Sequence, residues 1–365
     1  MSEFIKTHTP FLSGPAVSRL FPRENIELPP PVVGEPTAEQ LTGRSLPEFP
    51  LYLAIEVTNA CNLTCTHCNY RFGLPHYTRE RGFMNRKIFQ KVVAEAAEHK
   101  ATLLLNYDGE PMLHPDYIEY LRMVSEAGLN SYFNTNGTLM TVETARKIIS
   151  FYRGSIFFSI DGDREWFEKI RKPAKYDQVC KNVETFLEEN ERQGWPVTVC
   201  INFCNLGQNS QQRQEFVDKW LPKVNYVSIG ETNDEYGACC SDSIIKMPIT
   251  RRPVCVVPWM TCGIGHNGDV IPCSIYITRA NIAEAIFGNI GDAPLAEIWK
   301  NEAFRRFRQR LATGNVAGTY CERCERWLSQ FYFPEEKKDG VIIRRNGFWT
   351  TFQNLSKGHL NFMTL

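Results

Sequence analysis

The pattern of apolar and polar residues alternates between two periodicities along most of the chain. From Leu51 onward, short apolar runs are typical of strands, and the stretches between them have helical spacing. Six such runs are LYLAIEV, TLLLNY, SYFNTN, SIFFSI, VTVCINF and YVSIGE. Strands that alternate with helices form parallel sheets, because each helix returns the chain to the same end of the sheet. The pattern therefore predicts an α/β fold with a sheet of parallel strands, either open or curled into a partial (β/α)6 barrel.

Helical spacing is clearest in two segments. The segment MNRKIFQKVVAEAAEHK places its apolar residues on one face: Ile88, Phe89, Val92, Val93, Ala96 and Ala97. The segment YIEYLRMVSEAG ends at a glycine suited to a helix C-cap. In FRRFRQRL, residues 304–311, arginines alternate with apolar residues at helical spacing, and we interpret them as the solvated face of a helix.

Proline content and cysteine content divide the rest of the chain. Residues 1–49 contain LPPPVVGEPTAEQ and LPEFP, which are typical of an extended proline-rich arm. The predicted barrel occupies residues 50–240, a small cysteine-rich unit follows at residues 241–330, and residues 331–365 form a C-terminal tail. The chain is long enough for one or two folded domains with full cores.

Composition excludes several functional classes. The 365 residues are 43% hydrophobic, and 41 basic side chains balance 41 acidic ones, so we expect no general attraction to nucleic acid or to a membrane surface. The N-terminus lacks the regions of a secretory signal, and no apolar run approaches the length of about 18 residues that a membrane span needs. We therefore expect a cytoplasmic protein. In that reducing compartment the 13 cysteines point to metal ligation or packing instead of disulfides.

Unusual polar turns follow the first four predicted strands. In parallel sheets, ligands bind at the carboxyl ends of the strands. The turns at that edge are Cys61, Cys65 and Cys68 after the first strand, DGEP (108–111) after the second, NTNG (134–137) after the third and SIDG (159–162) after the fourth. Four polar turns at one edge of one sheet predict a functional site.

The three closely spaced cysteines suggest an iron–sulfur cluster. A structural zinc ion needs four ligands, whereas a [4Fe–4S] cluster held by three thiolates leaves one iron open to another ligand. The CxxxCxxC spacing of Cys61, Cys65 and Cys68, with His67 before the third cysteine, resembles the signature of the radical S-adenosylmethionine enzyme superfamily. The resemblance covers roughly residues 51–330.

Further positions carry the same resemblance. DGEP is similar to the superfamily's second-strand motif, usually GGEP, which receives the methionine amino group, although Asp108 stands in place of the first glycine. Ser159 and Arg171 match positions that hold the methionine carboxylate. The resemblance implies that the open iron binds S-adenosylmethionine and that its cleavage yields a 5′-deoxyadenosyl radical, which takes hydrogen from a substrate. The cofactor-binding residues that we expect are His67, Gly109, Glu110, Asn136, Ser159 and Arg171.

A second group of cysteines lies beyond the predicted sheet. Cys255, Cys262 and Cys273 lie in one segment and Cys321 and Cys324 in another, and four such cysteines fit either zinc or an iron–sulfur cluster. Their surroundings resemble the cysteine-rich extension called SPASM, or its shorter twitch form. The resemblance implies that Cys255, Cys273, Cys321 and Cys324 are the four ligands, because they match those of the twitch form. The full extension needs more cysteines after the last pair, and none follows Cys324. The resemblance thus implies one auxiliary [4Fe–4S] cluster, and two clusters in all.

Two candidate catalytic residues follow from the same sequence. Asp161, in the SIDG turn, is a candidate base, although packing of that turn explains it equally well. Cys262 is a candidate hydrogen donor, whereas the simpler interpretation is a small buried residue near the cluster. The same alternatives hold for Cys239 and Cys240, and we expect Cys180, Cys200 and Cys204 to serve packing.

The resemblance supports several reactions. The first is oxidation of an alcohol to a ketone on a small polar natural product of the sugar or aminocyclitol type, with the auxiliary cluster as electron acceptor. A second is epimerisation with a thiol donor such as Cys262, and a third is modification of a ribosomally made peptide. Any of these needs a flavodoxin- or ferredoxin-type electron donor. A non-catalytic zinc-binding protein is a fourth hypothesis, which the ordered motifs at the strand ends argue against.

Overall fold

The structure, a computed structural model, describes residues 46–68, 79–231, 254–273, 285–322, 324–330 and 333–357. Most of the proline-rich arm, Cys239 and Cys240 lie outside these ranges. Within the described residues, no helix combines the length and the apolar character that crossing a membrane requires.

Six parallel strands form the centre of the fold. They lie side by side in chain order, and every neighbouring pair is parallel. The strands are β1 (Tyr52–Ile55), β2 (Thr102–Leu104), β3 (Ser131–Thr135), β4 (Ser155–Ser159), β5 (Thr198–Asn205) and β6 (Tyr226–Glu231). This arrangement confirms the predicted parallel α/β sheet. Among the described residues no pairing joins β6 to β1.

Helices connect the strands and cover one face of the sheet. They are α1 (Arg86–His99), α2 (Tyr117–Glu126), α3 (Val142–Phe151), α4 (Arg164–Ile170), α5 (Tyr176–Arg192) and α6 (Arg213–Trp220). The predicted apolar face of α1 is confirmed, since Phe89, Val92, Val93 and Ala96 are buried. The glycine expected to end α2 is Gly128, with φ of 65° and its N–H bonded to the Ser125 carbonyl.

The cysteine-rich region extends the same sheet. Its elements are α7 (Val257–Met260), β7 (Thr261–Ile264), β8 (Asp269–Ile271), β9 (Gly288–Asn289), α8 (Leu295–Trp299) and α9 (Glu302–Ala312). Strand β7 pairs in parallel with β1, and β8 and β9 continue in antiparallel order. The region is therefore hydrogen-bonded to the first strand of the barrel.

One arginine of α9 departs from the expected solvated face. Arg305 and Arg306 are exposed and pair with Glu302, as expected. Arg308, by contrast, is 5% exposed, stacks on Trp299 at 3.9 Å, and donates to the carbonyl oxygens of Pro258 and Trp299. Burial is tolerated because these carbonyls and the aromatic face take the place of water. The prediction was thus wrong for Arg308.

The segment treated above as a C-terminal tail contains strands. It forms β10 (Glu336–Lys338), β11 (Val341–Arg345) and β12 (Trp349–Asn354), an antiparallel meander. Strand β12 pairs with β6, so the meander extends the sheet at the edge opposite β7. Burial of Phe352, Ile343 and Val341 in the main core shows that the meander packs as part of the same folded unit.

Candidate active site

The thiols of Cys61, Cys65 and Cys68 lie in the loop that follows β1. None of the three forms a disulfide, and each is buried or half-buried. The loop is fixed by backbone hydrogen bonds from Thr64 to the Lys172 carbonyl and from Thr66 to the Ile170 carbonyl, 2.7 and 2.8 Å long. The three predicted ligands are therefore held against the end of α4.

The surroundings of these thiols suit a metal cluster. Burial raises the pKa of Cys61 to about 11, and it also raises the pKa of Cys65, which the nearby Arg171 opposes. Buried thiols of this kind become thiolates when a metal binds them. A [4Fe–4S] cluster held by Cys61, Cys65 and Cys68 thus fits the residues present, with Arg171 as a neighbouring cation that offsets its negative charge.

Glu110 joins the second and third polar turns. Its carboxylate accepts hydrogen bonds from Thr135 Oγ1 at 2.8 Å, from the Asn136 N–H at 2.7 Å and from the Met112 N–H at 3.2 Å. Burial raises the pKa of Glu110 to about 7 against the effect of these bonds. The structure thereby brings a buried carboxyl to the strand edge, by which we mean the edge of the sheet at the carboxyl ends of the parallel strands. An amino group of a ligand would find an acceptor there.

Gly109 packs directly against the chain that leads to the cysteines. Its φ is 70°, and a Cβ at this position would lie 2.5 Å from the carbonyl oxygen of Ala60. The next N–H, from Glu110, donates to that same oxygen at 2.8 Å. Only glycine satisfies both the positive φ and the close approach, so the DGEP turn has a fixed position beside Cys61.

Asn136 contributes to the same edge. Its side-chain N–H donates to Asn62 Oδ1 at 2.9 Å, and its Oδ1 accepts from the Thr138 N–H at 2.9 Å. Asn62 lies between two of the predicted cluster ligands in the chain. This hydrogen bond places the Asn136 side chain against the loop that contains the three cysteines. A direct contact between Asn136 and S-adenosylmethionine remains a prediction.

Arg171 and Asp161 form a buried ion pair that sequence reasoning missed. Arg171 Nε and Asp161 Oδ2 are 2.7 Å apart, and Asp161 Oδ1 accepts the Cys204 N–H at 2.8 Å. Burial by itself would lower the pKa of Arg171, but the charge of Asp161 holds it above its usual value. Both residues were predicted for the site separately, and the sequence contained no signal that they pair.

His67 lies beside this ion pair, and Ser159 lies at the same edge. His67 Nε2 is 4.0 Å from Asp161 Oδ2. Burial lowers the pKa of His67 to about 4, so the imidazole is neutral at physiological pH. Ser159 ends strand β4 and is half-buried. Glu110 and Arg171 therefore lie close to the cysteine thiols, and His67 lies beside Arg171 and Asp161. A contact of Ser159 with S-adenosylmethionine remains a prediction.

The second group of thiols also assembles. Burial raises the pKa of Cys255 well above its ordinary value, and the charges of Cys273, Cys324 and Cys321 raise it further, so these three thiols lie within electrostatic range of Cys255. Within the part of the chain that the structure describes, no set of three histidine, cysteine or acidic side chains is close enough for a single metal ion. A four-iron cluster separates its ligands more widely, and the four cysteines fit such a cluster.

Cys262 is not brought to the strand edge. It lies in β7 opposite Leu53 of β1, it has no exposed surface, and it belongs to the main hydrophobic core. Paired residues of neighbouring strands face the same side of a sheet, and Leu53 pairs with Leu103 of β2 on the side that the helices cover. Burial raises the pKa of Cys262 far above the ordinary thiol range.

The opposite side of the sheet carries neutral polar residues. Ser159 pairs with Asn202, and Asn202 pairs with Ser228. Asn202 Nδ2 donates to Asn134 Oδ1 at 3.0 Å across two strands. Burial alternates along β3, and Asn134 in β3 and Asn202 in β5 are each half-buried between buried neighbours. A surface of amides and hydroxyls therefore leads away from the strand edge, and sequence reasoning did not identify it.

Comparisons of the sequence with known proteins agree with this site. The family model described as "Radical SAM superfamily" matches residues 55–219, and the model described as "Iron-sulfur cluster-binding domain" (SPASM) matches residues 255–325. The chain is 30% identical to an AdoMet-dependent heme synthase of Methanosarcina barkeri, over 71% of this chain and 85% of the relative. It is 24% identical to a tungsten-containing aldehyde ferredoxin oxidoreductase cofactor-modifying protein of Pyrococcus furiosus, over 75% of this chain and 86% of the relative.

A solved structure shares the fold. Streptococcus suis SuiB bound to S-adenosylmethionine aligns with a TM-score of 0.57 and 17% sequence identity, covering 72% of this chain and 68% of SuiB. At this identity the likeness concerns the fold alone.

Proposed function

Because the chain belongs to the radical S-adenosylmethionine enzyme superfamily and carries a SPASM iron–sulfur domain, we propose that it oxidises an alcohol of a small polar substrate to a ketone. S-adenosylmethionine and [4Fe–4S] clusters are the cofactors of this superfamily, and together they supply the cleavage that starts hydrogen abstraction.

Glu110, Ser159 and Arg171 are the residues that we propose hold the methionine part of S-adenosylmethionine. Glu110 supplies a buried carboxyl for the amino group, and Arg171 supplies a guanidinium for the carboxylate. Support comes from their positions at one strand edge beside Cys61 and Cys65, with Arg171 oriented by Asp161 at 2.7 Å. Such charge-assisted hydrogen bonds are short and strong when water is excluded.

The oxidation balances when the auxiliary cluster accepts one electron. A hydrogen atom would leave the carbinol carbon to the deoxyadenosyl fragment, and the hydroxyl proton would leave to a base. The auxiliary cluster, which Cys255, Cys273, Cys321 and Cys324 would hold, would accept the remaining electron. A flavodoxin- or ferredoxin-type donor would supply the electron that each cleavage of S-adenosylmethionine consumes.

Asp161 is our candidate for the base. Its Oδ2 contacts Arg171. A carboxylate suffices as the base, because the hydroxyl proton of a carbon radical is far more acidic than that of an alcohol. Asp161 would then both orient Arg171 and remove the proton.

The neutral polar surface of the sheet is the observation that supports the substrate class that we propose. Asn134, Asn202, Ser159 and Ser228 share the side of the sheet that leads away from the strand edge. Amides and hydroxyls recognise a substrate rich in hydroxyl or amino groups, such as a sugar or an aminocyclitol.

A cofactor-type substrate is the second candidate. It is favoured by the relative that is 30% identical, which is described as an AdoMet-dependent heme synthase. Aromatic residues Tyr132, Phe157 and Tyr226 form a cluster with Cys200 on the same side of the sheet, which suits a flat ligand. The epimerase hypothesis is less favoured, because Cys262 faces the helix-covered side of the sheet.

Product mass tests the proposed oxidation. We expect that reconstituted enzyme, given a panel of aminocyclitols and sugars, forms a product lighter by about two hydrogens and consumes about one S-adenosylmethionine per product. Incorporation of one deuterium from heavy water at unchanged composition would reject oxidation in favour of epimerisation. Turnover of an iron porphyrin alone, followed by its absorbance, would favour the second candidate.

The Asp161→Asn variant tests the base. If Asp161 removes the proton as well as orienting Arg171, the rate of product formation in this variant should fall about 100-fold further than the rate of S-adenosylmethionine cleavage. A parallel loss of both rates would show that Asp161 acts only by holding Arg171.

A further inference from the structure

A network of four charged or titratable side chains lies buried beside the strand edge. Glu56 follows β1 and has no exposed surface. Arg79 binds it with both terminal nitrogens, Nη1 on Oε2 and Nη2 on Oε1, the second contact being 2.6 Å. Arg79 and His266 hold the pKa of Glu56 below its ordinary value, although burial by itself would raise it. The bidentate ion pair between Glu56 and Arg79 therefore fixes the positions of both side chains inside the protein.

Arg79 also contacts a second buried carboxylate, that of Asp108. Its Nη1 is 3.6 Å from Asp108 Oδ2, and the Asp108 side chain has no exposed surface. Asp108 is the residue that replaces the first glycine of the superfamily's usual motif, and Gly109 and Glu110 follow it directly. A buried carboxylate at this position needs a cation, and Arg79 supplies it.

His266 joins the network from the iron–sulfur domain. It lies in the turn between β7 and β8, and its Nδ1 is 2.6 Å from Glu56 Oε1, while its backbone N–H donates to the same oxygen at 3.2 Å. The ring lies over Gly82, where a Cβ would be 2.0 Å from His266 Nε2. The imidazole thus fills a niche that only a glycine at position 82 leaves open.

We propose that Arg79 and His266 are positioning residues through which the iron–sulfur domain fixes the S-adenosylmethionine site. The segment 108–110 is held on one side by Arg79 and on the other by the Glu110 N–H bond to Ala60, 2.8 Å long. A shift of the β7–β8 turn would move His266, then Glu56 and Arg79, and finally Asp108 beside Glu110. The inference rests on the S-adenosylmethionine site and is independent of the oxidation proposed above.

A double-mutant cycle between Arg79 and Asp108 tests whether Arg79 acts on the S-adenosylmethionine site through Asp108. Iron-loaded proteins matched in iron content are compared by equilibrium dialysis with S-adenosylmethionine and by the electron paramagnetic resonance spectrum of the reduced protein with and without it. We expect Arg79→Met to weaken binding about tenfold or more, and Arg79→Lys to fall between Arg79→Met and wild type. In the Asp108→Gly background the effect of Arg79→Met should fall below about threefold.

An equal effect of Arg79→Met in both backgrounds would overturn the proposed route through Asp108. If Arg79→Met does not fold, Asp108→Asn tests the same contact and should also weaken binding. Arg86→Met is the matched control, because Arg86 forms an exposed ion pair with Glu119 at 3.0 Å, and it should leave binding within about twofold.

Two variants on the far side of the network test the link to the iron–sulfur domain. His266→Ala removes the imidazole, and Gly82→Ala displaces it. We expect each to weaken S-adenosylmethionine binding by about threefold or more and to alter the change that S-adenosylmethionine causes in the resonance spectrum. Lower thermal stability with unchanged affinity and an unchanged spectrum would show that His266 has only a structural role. Product mass plays no part in these readouts, so failure here is distinguishable from failure of the proposed oxidation.

Discussion

Arg171 and Asp161 face each other beyond the end of strand β4, with Nε and Oδ2 2.7 Å apart. The ion pair fixes the direction of the guanidinium, which also lies close enough to Cys65 to oppose the rise in the pKa of that thiol. Two residues that the sequence placed at the site for separate reasons therefore act on each other. Their interaction determines which substitutions at position 171 should matter.

Substitution of Arg171 should weaken S-adenosylmethionine binding in a graded way. Loss of charge-assisted hydrogen bonds worth roughly 1.5–3 kcal/mol predicts about 10- to 100-fold weaker binding for Arg171→Ala. Arg171→Lys keeps the charge but loses the forked geometry, so its affinity for S-adenosylmethionine should fall between those of wild type and Arg171→Ala. Equilibrium dialysis at equal iron content measures the effect, and unchanged affinity in Arg171→Ala would assign the carboxylate to another donor.

Glu110 predicts a pH dependence of stability. Its pKa is raised by burial from an ordinary value of 4.5 to about 7. A carboxyl with a raised folded-state pKa stabilises the fold below its unfolded pKa, and this contribution is lost as pH rises through the folded value. Between about pH 5 and about pH 8, the unfolding free energy of iron-free wild type should fall by roughly 2–3 kcal/mol relative to Glu110→Gln. Anaerobic denaturant titrations measure this difference, and parallel pH profiles would contradict it.

At the scale of elements, strand β7 determines the surroundings of Cys262. Its parallel pairing with β1 sets Cys262 opposite Leu53 and Gly263 opposite Ala54. Because successive residues of a strand face opposite sides, a shift of one residue would have turned the Cys262 thiol to the polar side of the sheet. The register is therefore the reason that we do not propose Cys262 as a hydrogen donor.

Replacement of Cys262 should affect stability more than chemistry. Cys262→Ala leaves a small cavity in the core and should cost about 1–2 kcal/mol of unfolding free energy. S-adenosylmethionine cleavage and the isotopic composition of the product formed in heavy water should match those of wild type. A variant that folds normally but loses solvent deuterium from its product would restore the epimerase hypothesis.

At the scale of the whole molecule, one sheet connects both thiol groups. The predicted cluster ligands Cys61, Cys65 and Cys68 follow β1, and the auxiliary region begins with α7 and β7, which pairs with β1. The network of Glu56, Arg79, Asp108 and His266 crosses the same boundary. The iron–sulfur domain is thus attached to the barrel by both backbone and side-chain bonds.

Iron content tests the number of clusters. Three thiolates in one group and four in the other predict about eight irons per chain after anaerobic reconstitution. Replacing Cys61, Cys65 and Cys68 by alanine together should halve the iron and abolish S-adenosylmethionine cleavage. Elemental analysis that finds one zinc and four irons would contradict the auxiliary cluster and leave the barrel cluster intact.

The sequence by itself determined the elements and the ligand types. Strand and helix periodicities depend on neighbouring residues, so the six parallel strands and the apolar face of α1 were predictable. The spacing of Cys61, Cys65 and Cys68 is a local property too, and so is the glycine of the DGEP turn. Each of these features is encoded within a few residues of the position it describes.

Only the tertiary structure decided which distant residues meet. Arg308 is buried because Trp299 and Pro258 surround it, and helical spacing alone predicts an exposed arginine there. His266 meets Glu56 across 210 positions of the chain, and β12 pairs with β6 across the whole iron–sulfur region. Such contacts depend on the order of the strands in the sheet and on the register in which they pair. Both are properties of the folded chain as a whole.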